Sequence, residues 1–156
     1  MSEIRRDRSL AKGLMAGLAA GLVATAAKSL VETLYPPRVH GEPDPAEVLA
    51  EKVAGHSMDP GTKTAAGRMI HWGFGAAVGA AYGALAEYYP AATAKEGATF
   101  GLALMTLTEQ TALPAIGVAE ALEEQTARER TSEATSYLAY GLVAERVRSF
   151  VRGVLP

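Results

Sequence analysis

At 156 residues the chain has the length of one domain; it is 49% apolar and 21% charged, with a formal net charge of −2 and no cysteine. The lack of cysteine excludes disulfides, thiolate metal sites and cysteine nucleophiles, and a near-neutral chain without a basic, aromatic-interleaved face gives no reason to expect nucleic acid as a partner. Bulk composition suits either a soluble protein or a membrane bundle, so the distribution of charge decides: charges crowd into Ser2–Lys12, Arg38–Arg68, Glu120–Glu133 and Glu145–Arg152.

The first nearly charge-free segment, residues 9–35, carries Gly13, Gly17 and Gly21 at four-residue spacing. Arg5, Arg6, Arg8 and Lys12 before the apolar run Gly13–Ala27 imitate a secretory signal, and Ala24-Thr25-Ala26 imitates its cleavage site; the expectation is nevertheless a retained span. Twin-arginine export is not supported, because Asp7 and Arg8 follow Arg5-Arg6 where hydrophobic residues are needed. The loop that follows, about Pro36 to Arg68, is acidic, with Glu42, Asp44, Glu47, Glu51 and Asp59. In it Asp44 with Pro45 and Glu47 predicts the start of a short helix reaching about Ala54, and Asp59-Pro60-Gly61 predicts a turn.

The second segment, residues 69–89, contains eighteen residues, Met69 to Ala86, without formal charge apart from a protonatable His71, and Glu87, Tyr88, Tyr89 and Pro90 close it. Gly75, Gly79 and Gly83 repeat the spacing of the first segment as a glycine zipper. Such faces let helix backbones approach closely inside a bilayer, whereas in a water-soluble helix each interior Gly costs roughly 1 kcal/mol relative to Ala. The third segment, residues 97–122, has twelve uncharged residues before Glu109 and ten after it, with Pro114 inside. Pro114 frees the carbonyl of Gln110 and predicts a kink beside Glu109. The fourth, residues 132–151, offers eleven uncharged residues, Ala134 to Ala144, before Glu145, Arg146 and Arg148.

Taken strictly, only the second segment satisfies the requirement of about eighteen apolar residues for a span. The fold class expected is all-α: a four-helix transmembrane bundle in a single integral membrane domain, with a short helix in the first extracytoplasmic loop. Basic residues near both termini (Arg5, Arg6, Arg8 and Lys12; Arg146, Arg148 and Arg152) predict that both ends are cytoplasmic in the bacterial inner membrane. Tyr35, Trp72, Tyr88 and Tyr89 fall near the predicted interfaces as aromatic anchors.

The run Lys28-x-x-x-Glu32 with Tyr35-Pro36-Pro37-Arg38, the segment His71–Pro90 with its Ala86-Glu87-x-x-Pro90 exit, the motif Glu109…Leu113-Pro114…Gly117, and Ser132-Glu133 with Ala144-Glu145-Arg146 and Arg148 together resemble the YagU-like family of bacterial inner membrane proteins. The resemblance covers most of the chain in order. Two departures stand out: the outer loop is shorter than the resemblance implies, and Tyr137 stands where it would lead one to expect a histidine. What the resemblance implies is a four-span inner membrane protein linked to acid resistance, with no established biochemical activity.

An ionisable side chain within a span asks for a partner, a water-filled cavity or a function. Counting depth at about 1.5 Å per residue sets Lys28 and Glu109 near one another in the outer half, Glu32, His71 and Tyr137 near the outer interface, and Glu87 and Glu145 near the inner one. These seven residues are the candidate proton or ion relay, with Lys28–Glu109 as the expected pair. The same residues admit a purely structural account, in which Lys28 and Glu32 at i, i+4 snorkel to the interface and Glu87 and Glu145 mark the cytoplasmic boundary. His40, His56 and His71 are too dispersed for a zinc site and the acidic loop lacks a calcium pattern, so no metal is expected. Nucleotide and serine-hydrolase motifs are missing, which leaves no catalytic residue and no cofactor to assign. The expected function is therefore non-enzymatic: support of acid or envelope stress tolerance through proton or small-ion movement along the buried carboxylates. An interaction or assembly subunit packing through its glycine faces is the alternative, and a soluble four-helix bundle the second. Expected partners are the lipid bilayer, and a second copy or other membrane proteins.

Overall fold

The computed structural model describes residues 8–38, 41, 43–119 and 125–155, and among these every regular element is helical. In chain order they are α1 (Leu10–Leu34), α2 (Pro45–Ala54), α3 (Pro60–Tyr88), a 3-10 link (Pro90–Gly97), α4 (Ala98–Leu107), a π-helical turn (Thr108–Ala112), α5 (Leu113–Ala115) and α6 (Ala127–Val154). The basic residues Arg5 and Arg6, the loop residues His40 and Glu42, and the expected end of the third segment at 120–122 lie outside the described residues.

Local chemistry sets most of the boundaries. Ser9 caps α1, its hydroxyl accepting the Lys12 amide at 3.4 Å, and Thr126 with Glu129 forms a full capping box at the start of α6, so the amides of Lys12, Thr126 and Glu129 all find side-chain acceptors. Asp44 and Pro45 open α2 as the spacing predicts, with Asp44 Oδ1 accepting the Ala46 amide at 2.7 Å. Asp59-Pro60-Gly61 is not a free-standing turn. Asp59 Oδ2 accepts the Thr62 amide at 3.0 Å and Pro60 occupies the first helical turn, so the segment starts α3 well before Met69. Likewise α6 begins at Ala127 rather than Ser132, because the cap that starts it is Thr126. The third segment is broken rather than merely bent: α4 ends at Leu107 and a π-turn follows. Among the described helices, α1 alone is both long and apolar enough to cross a membrane, so the first segment meets the requirement and the second, expected to do so from its charge-free run, does not, because its glycines, His71, Trp72 and Tyr82 dilute its apolar content.

The helices pack in the order α3, α1, α6, α4, and α2 lies on α3. The α1–α3 crossing is backbone on backbone. A Cβ built at Gly17 would lie 2.8 Å from Gly83 Cα, and one built at Gly21 would lie 2.9 Å from Gly79 Cα. A second crossing of the same kind joins α4 to α6, where a Cβ at Gly141 would meet Gly101 N at 2.8 Å and Gly101 Cα at 2.9 Å. Between these pairs a small core forms from Ala24, Tyr82, Tyr140 and Ala144 with Phe100. Tyr82 and Phe100 stack at 4.1 Å between centroids, tying α3 to the α4 side.

Apart from Tyr82, Tyr137, Tyr140 and Val118, the buried residues are small or polar, and most large apolar side chains point out. Ala16, Ala20, Ala24, Ser132 and Ser136 are fully buried, whereas Met15, Leu30, Leu34, Leu107 and Phe150 are each at least 60% exposed.

At the end of the bundle that carries α2, Glu51 accepts the Met58 amide at 2.9 Å and the Lys63 ammonium at 2.9 Å, clipping α2 to the start of α3. The Met58 amide, followed by Lys63, holds the Glu51 carboxyl below its ordinary value. A carboxyl lowered in the folded state stabilises above its unfolded value, about 4.3 for Glu, and that contribution is lost as the pH falls through the lower folded value. The protection factors of the amides of residues 51–63, exchange rates referred to the intrinsic rate at each pH, are therefore expected to fall selectively below about pH 4, and Glu51→Gln should show lowered protection factors there already at pH 7.

Candidate functional site

Two clusters of ionisable side chains occupy opposite ends of the bundle. The one nearer α2 surrounds a cavity of about 230 Å³ to which α1, α2, α3, the α4–α5 region and α6 all contribute. Lys28, Glu32, His71, Glu109 and Tyr137, five of the seven relay candidates, line it. Pro114 explains how Glu109 reaches it. Without a Pro114 N–H, and with its ring crowding the Gln110 carbonyl, the i→i−4 bond to that carbonyl cannot form. The chain takes a wide turn instead, the Leu113 amide bonding the Thr108 carbonyl five residues back. Such π-turns recur at functional sites. Here the turn carries Glu109 inward to 8% exposure while Leu107, two residues earlier, stays 64% exposed.

The expected Lys28–Glu109 pair does not form. Lys28 pairs with Glu32 one turn along its own helix, and its ammonium also lies over the Tyr137 ring, 4.5 Å from the centroid. The i, i+4 partner is within reach whatever the rest of the fold does, which is why it wins. Glu109 instead accepts the Tyr137 hydroxyl at Oε1, 2.8 Å away, and Thr108 Oγ1 lies 3.0 Å from the same hydroxyl. Its other oxygen, Oε2, faces Arg38 Nη2 at 3.7 Å and has no hydrogen-bond partner among the described residues. His71 contacts Ser29 Oγ at 3.0 Å through Nε2.

Glu87 and Glu145 sit at the other end, where the start of α1 meets the end of α6. Glu87 accepts the Ser9 amide at 3.2 Å and pairs with Arg152. Glu145 takes Arg148 in a two-pronged contact at 2.7 and 2.8 Å and accepts the Tyr82 hydroxyl at 2.6 Å. The two clusters are separated by the Tyr82, Phe100 and Tyr140 core, and the Tyr140 hydroxyl between them donates to the Gly75 carbonyl at 2.7 Å rather than to a carboxylate. The seven candidates thus divide into five and two, with no described hydrogen-bonded path joining them.

The predicted glycines Gly13, Gly17 and Gly21 face Gly83, Gly79 and Gly75 within the chain, so these faces are already occupied. Sequence reasoning missed several members of the site. Arg38 and Thr108 had no helical periodicity to mark them, and Glu133, buried at 5% exposure and bonded by Gln125 at 3.2 Å, read as a flank of the fourth segment. The Gly97, Gly101 and Gly141 crossing did have a signal, the four-residue spacing of its first two members. Among the described residues no group of three or more His, Asp and Glu is arranged to hold a metal ion.

No curated protein and no solved structure matches the chain. A family model does, over residues 22–146, which takes in the cavity and the π-turn, with Glu87 and Glu145 but not their partners Arg148, Arg152 and Ser9: the chain belongs to the family described as "Protein of unknown function (DUF1440)".

Proposed function

We propose that the chain is a non-enzymatic, four-span protein of the bacterial inner membrane, YagU-like, with both termini cytoplasmic and the α2 end outside. Its role in this reading is support of acid or envelope stress tolerance, by exchange of protons or a small ion at the carboxylates lining the outer cavity. One observation carries the membrane part: the polarity of the bundle is inverted, with Gly, Ala, Ser, tyrosines and paired charges inside and most of the Leu, Met and Phe side chains, Phe100 excepted, outside. In water such an exterior forfeits roughly 25 cal/mol for every Å² of apolar surface left wet; in lipid it is the required surface, and small-residue interfaces supply the packing. The helices α3 and α6, 29 and 28 residues long, are dilute in apolar residues because their inner faces carry Gly, Tyr, Ser and Glu, and their length exceeds the roughly 20 residues a span needs.

The site part rests on Glu109. Its carboxylate lies within the bundle beside Tyr137 and Thr108, whose hydroxyls form a short exchangeable chain. The aromatic core beneath makes the resting bundle closed, so passage requires the Tyr140 hydroxyl to leave the Gly75 carbonyl.

Two experiments address the two parts separately. In a detergent-free lysate the protein should pellet on ultracentrifugation and resist carbonate extraction; recovery in the supernatant would overturn the membrane reading in favour of a soluble bundle. Reconstituted in liposomes, the wild type should dissipate an imposed pH gradient and Glu109→Gln should abolish that flux. Equal flux from the variant removes Glu109 from the mechanism, and no flux from the wild type removes ion movement altogether.

A further inference from the structure

The charged groups around the cavity are matched within the protein. Lys28 pairs with Glu32, Arg38 faces Glu109 at 3.7 Å, and Asp44 accepts the Ala46 amide at the start of α2. The rest of the lining is largely hydrocarbon, with Leu49, Ile70, Phe74, Leu104 and Leu113 in the wall. The cavity also has an open side. In the bundle α3 packs against α1 and α2, and α4 against α6, but α3 and α4 form no comparable crossing with each other. What joins them is the Tyr82–Phe100 stack and the 3-10 link, on the side away from α2. Phe74 from α3 and Ala112 from the π-turn line the cavity and are exposed as well, Phe74 to 46%, so the wall runs without a break into the apolar exterior of the bundle. Pro45, Ala46 and Leu49 of α2 cover the outer end.

We propose that this crevice takes one acyl chain of a bilayer phospholipid, which enters sideways between α3 and the segment from α4 to α5 and lies against Ile70, Phe74, Leu104 and Leu113. The proposal rests on the membrane part of the proposed function and not on ion movement. Left empty, a gap of about 230 Å³ deprives its lining of dispersion contacts. Water is a poor filler along the aliphatic and aromatic wall, which offers it no hydrogen bond. Outside Phe74 and Ala112, for a bundle with an apolar exterior in a membrane, the available fluid is lipid hydrocarbon. A cavity of about 150 Å³ lined by Leu, Ile and Phe stays dry and binds benzene, so by the same ratio this one holds about nine carbons, a stretch of one chain rather than a whole lipid. Because the charges at the rim are already paired, a zwitterionic head group suffices.

The test places the full chain in phosphatidylcholine vesicles doped with a phosphatidylcholine that carries a diazirine in one acyl chain, and maps the labelled residues by mass spectrometry after illumination. Label is expected on Ile70, Leu104 and Leu113 in the crevice, and on the exposed face of α1 at Leu14, Met15 and Leu18, which reports ordinary lipid contact. Leu104→Trp, which fills the crevice, should remove most of the label from Ile70 and Leu113 and leave that on α1 unchanged. Leu102→Trp, at a 40% exposed position of the same helix, should leave both unchanged. Ala46→Phe, which fills the crevice from α2, should act as Leu104→Trp does, and it decides the matter if that variant does not fold. Label on α1 with none at Ile70, Leu104 and Leu113, or undiminished crevice label in the filled variants, would overturn the proposal and leave the membrane reading standing. A free alkyl diazirine that labels the crevice where the phospholipid does not would assign it to a free apolar solute, which also overturns the proposal. Label on neither surface would overturn both readings. None of these outcomes bears on the liposome flux of Glu109→Gln.

Discussion

Gly79→Leu is expected to abolish the folded bundle, with the variant eluting as aggregate after detergent extraction and losing most of its protease resistance. The reason is backbone contact. A Cβ at position 79 would lie 2.5 Å from the Gly17 carbonyl oxygen and 2.6 Å from the Gly21 amide nitrogen. Neither is the end of a flexible side chain, so α1 and α3 must separate along their length to admit even one methyl group. Overpacking a tight core costs about 1–3 kcal/mol, and Gly79→Ala should already lose that much. A full isobutyl group exceeds what a marginally stable fold of about 5–15 kcal/mol can absorb without rearrangement. Gly73 on the same helix is the control, because a Cβ there meets nothing within 4 Å. Gly73→Ala should be neutral or stabilising by up to about 1 kcal/mol. If Gly79→Ala and Gly73→Ala behaved alike in unfolding by sodium dodecyl sulfate, the close crossing of α1 and α3 would be wrong.

The second large effect is expected at Glu145. Its carboxylate satisfies two groups at once, the Arg148 guanidinium, whose side chain is 12% exposed, and the fully buried Tyr82 hydroxyl. Removing one partner of a buried ion pair leaves the other charge uncompensated, at a cost of about 3–5 kcal/mol. Glu145→Ala should therefore rank with the strongest destabilising single changes in the chain. The double variant Glu145→Ala/Arg148→Ala should recover a large part of the loss, because neither charge is then stranded. Tyr82→Phe should cost only about 1 kcal/mol, one hydrogen bond. Strict additivity in the Glu145–Arg148 cycle would show that the pair does not interact in the folded protein. By contrast the exposed Arg146–Glu96 pair, with side chains 72% and 63% exposed, should contribute little.

These expectations assign Glu145 a structural task. As a boundary marker it would tolerate exchange for any polar residue. As the shared acceptor of Arg148 and Tyr82 it would not.

How much of this was legible in the sequence varies with the range of the interaction. The α2 helix was readable to the residue, because Asp44 and Pro45 act on the backbone within one turn. The disruption at Glu109 was readable because Pro114 lacks an amide wherever it sits, but the form it takes, a π-turn that swings Glu109 inward, depends on what packs against the turn. The glycine spacing on α1 and α3 marked two close-contact faces without saying that they meet each other. The start of α3 was misread as a turn because Asp-Pro-Gly has turn chemistry and capping chemistry alike, and only the helix that follows decides between them.

By itself the sequence determined the local facts: where helices start, which faces are small enough for backbone contact, and that seven ionisable groups interrupt apolar segments. It could do so because capping, periodicity and the missing proline amide operate within about one helical turn. Tertiary structure alone decided the pairings. Tyr137 went to Glu109, Arg38 came from a loop to face the same carboxylate, and the aromatic core split the ionisable groups in two, whereas the Lys28–Glu32 pair is local to one turn of α1. Such pairings depend on side chains brought within about 4 Å by packing across the bundle, a distance that residues 71 positions apart in the chain, such as Arg38 and Glu109, acquire only when the fold closes.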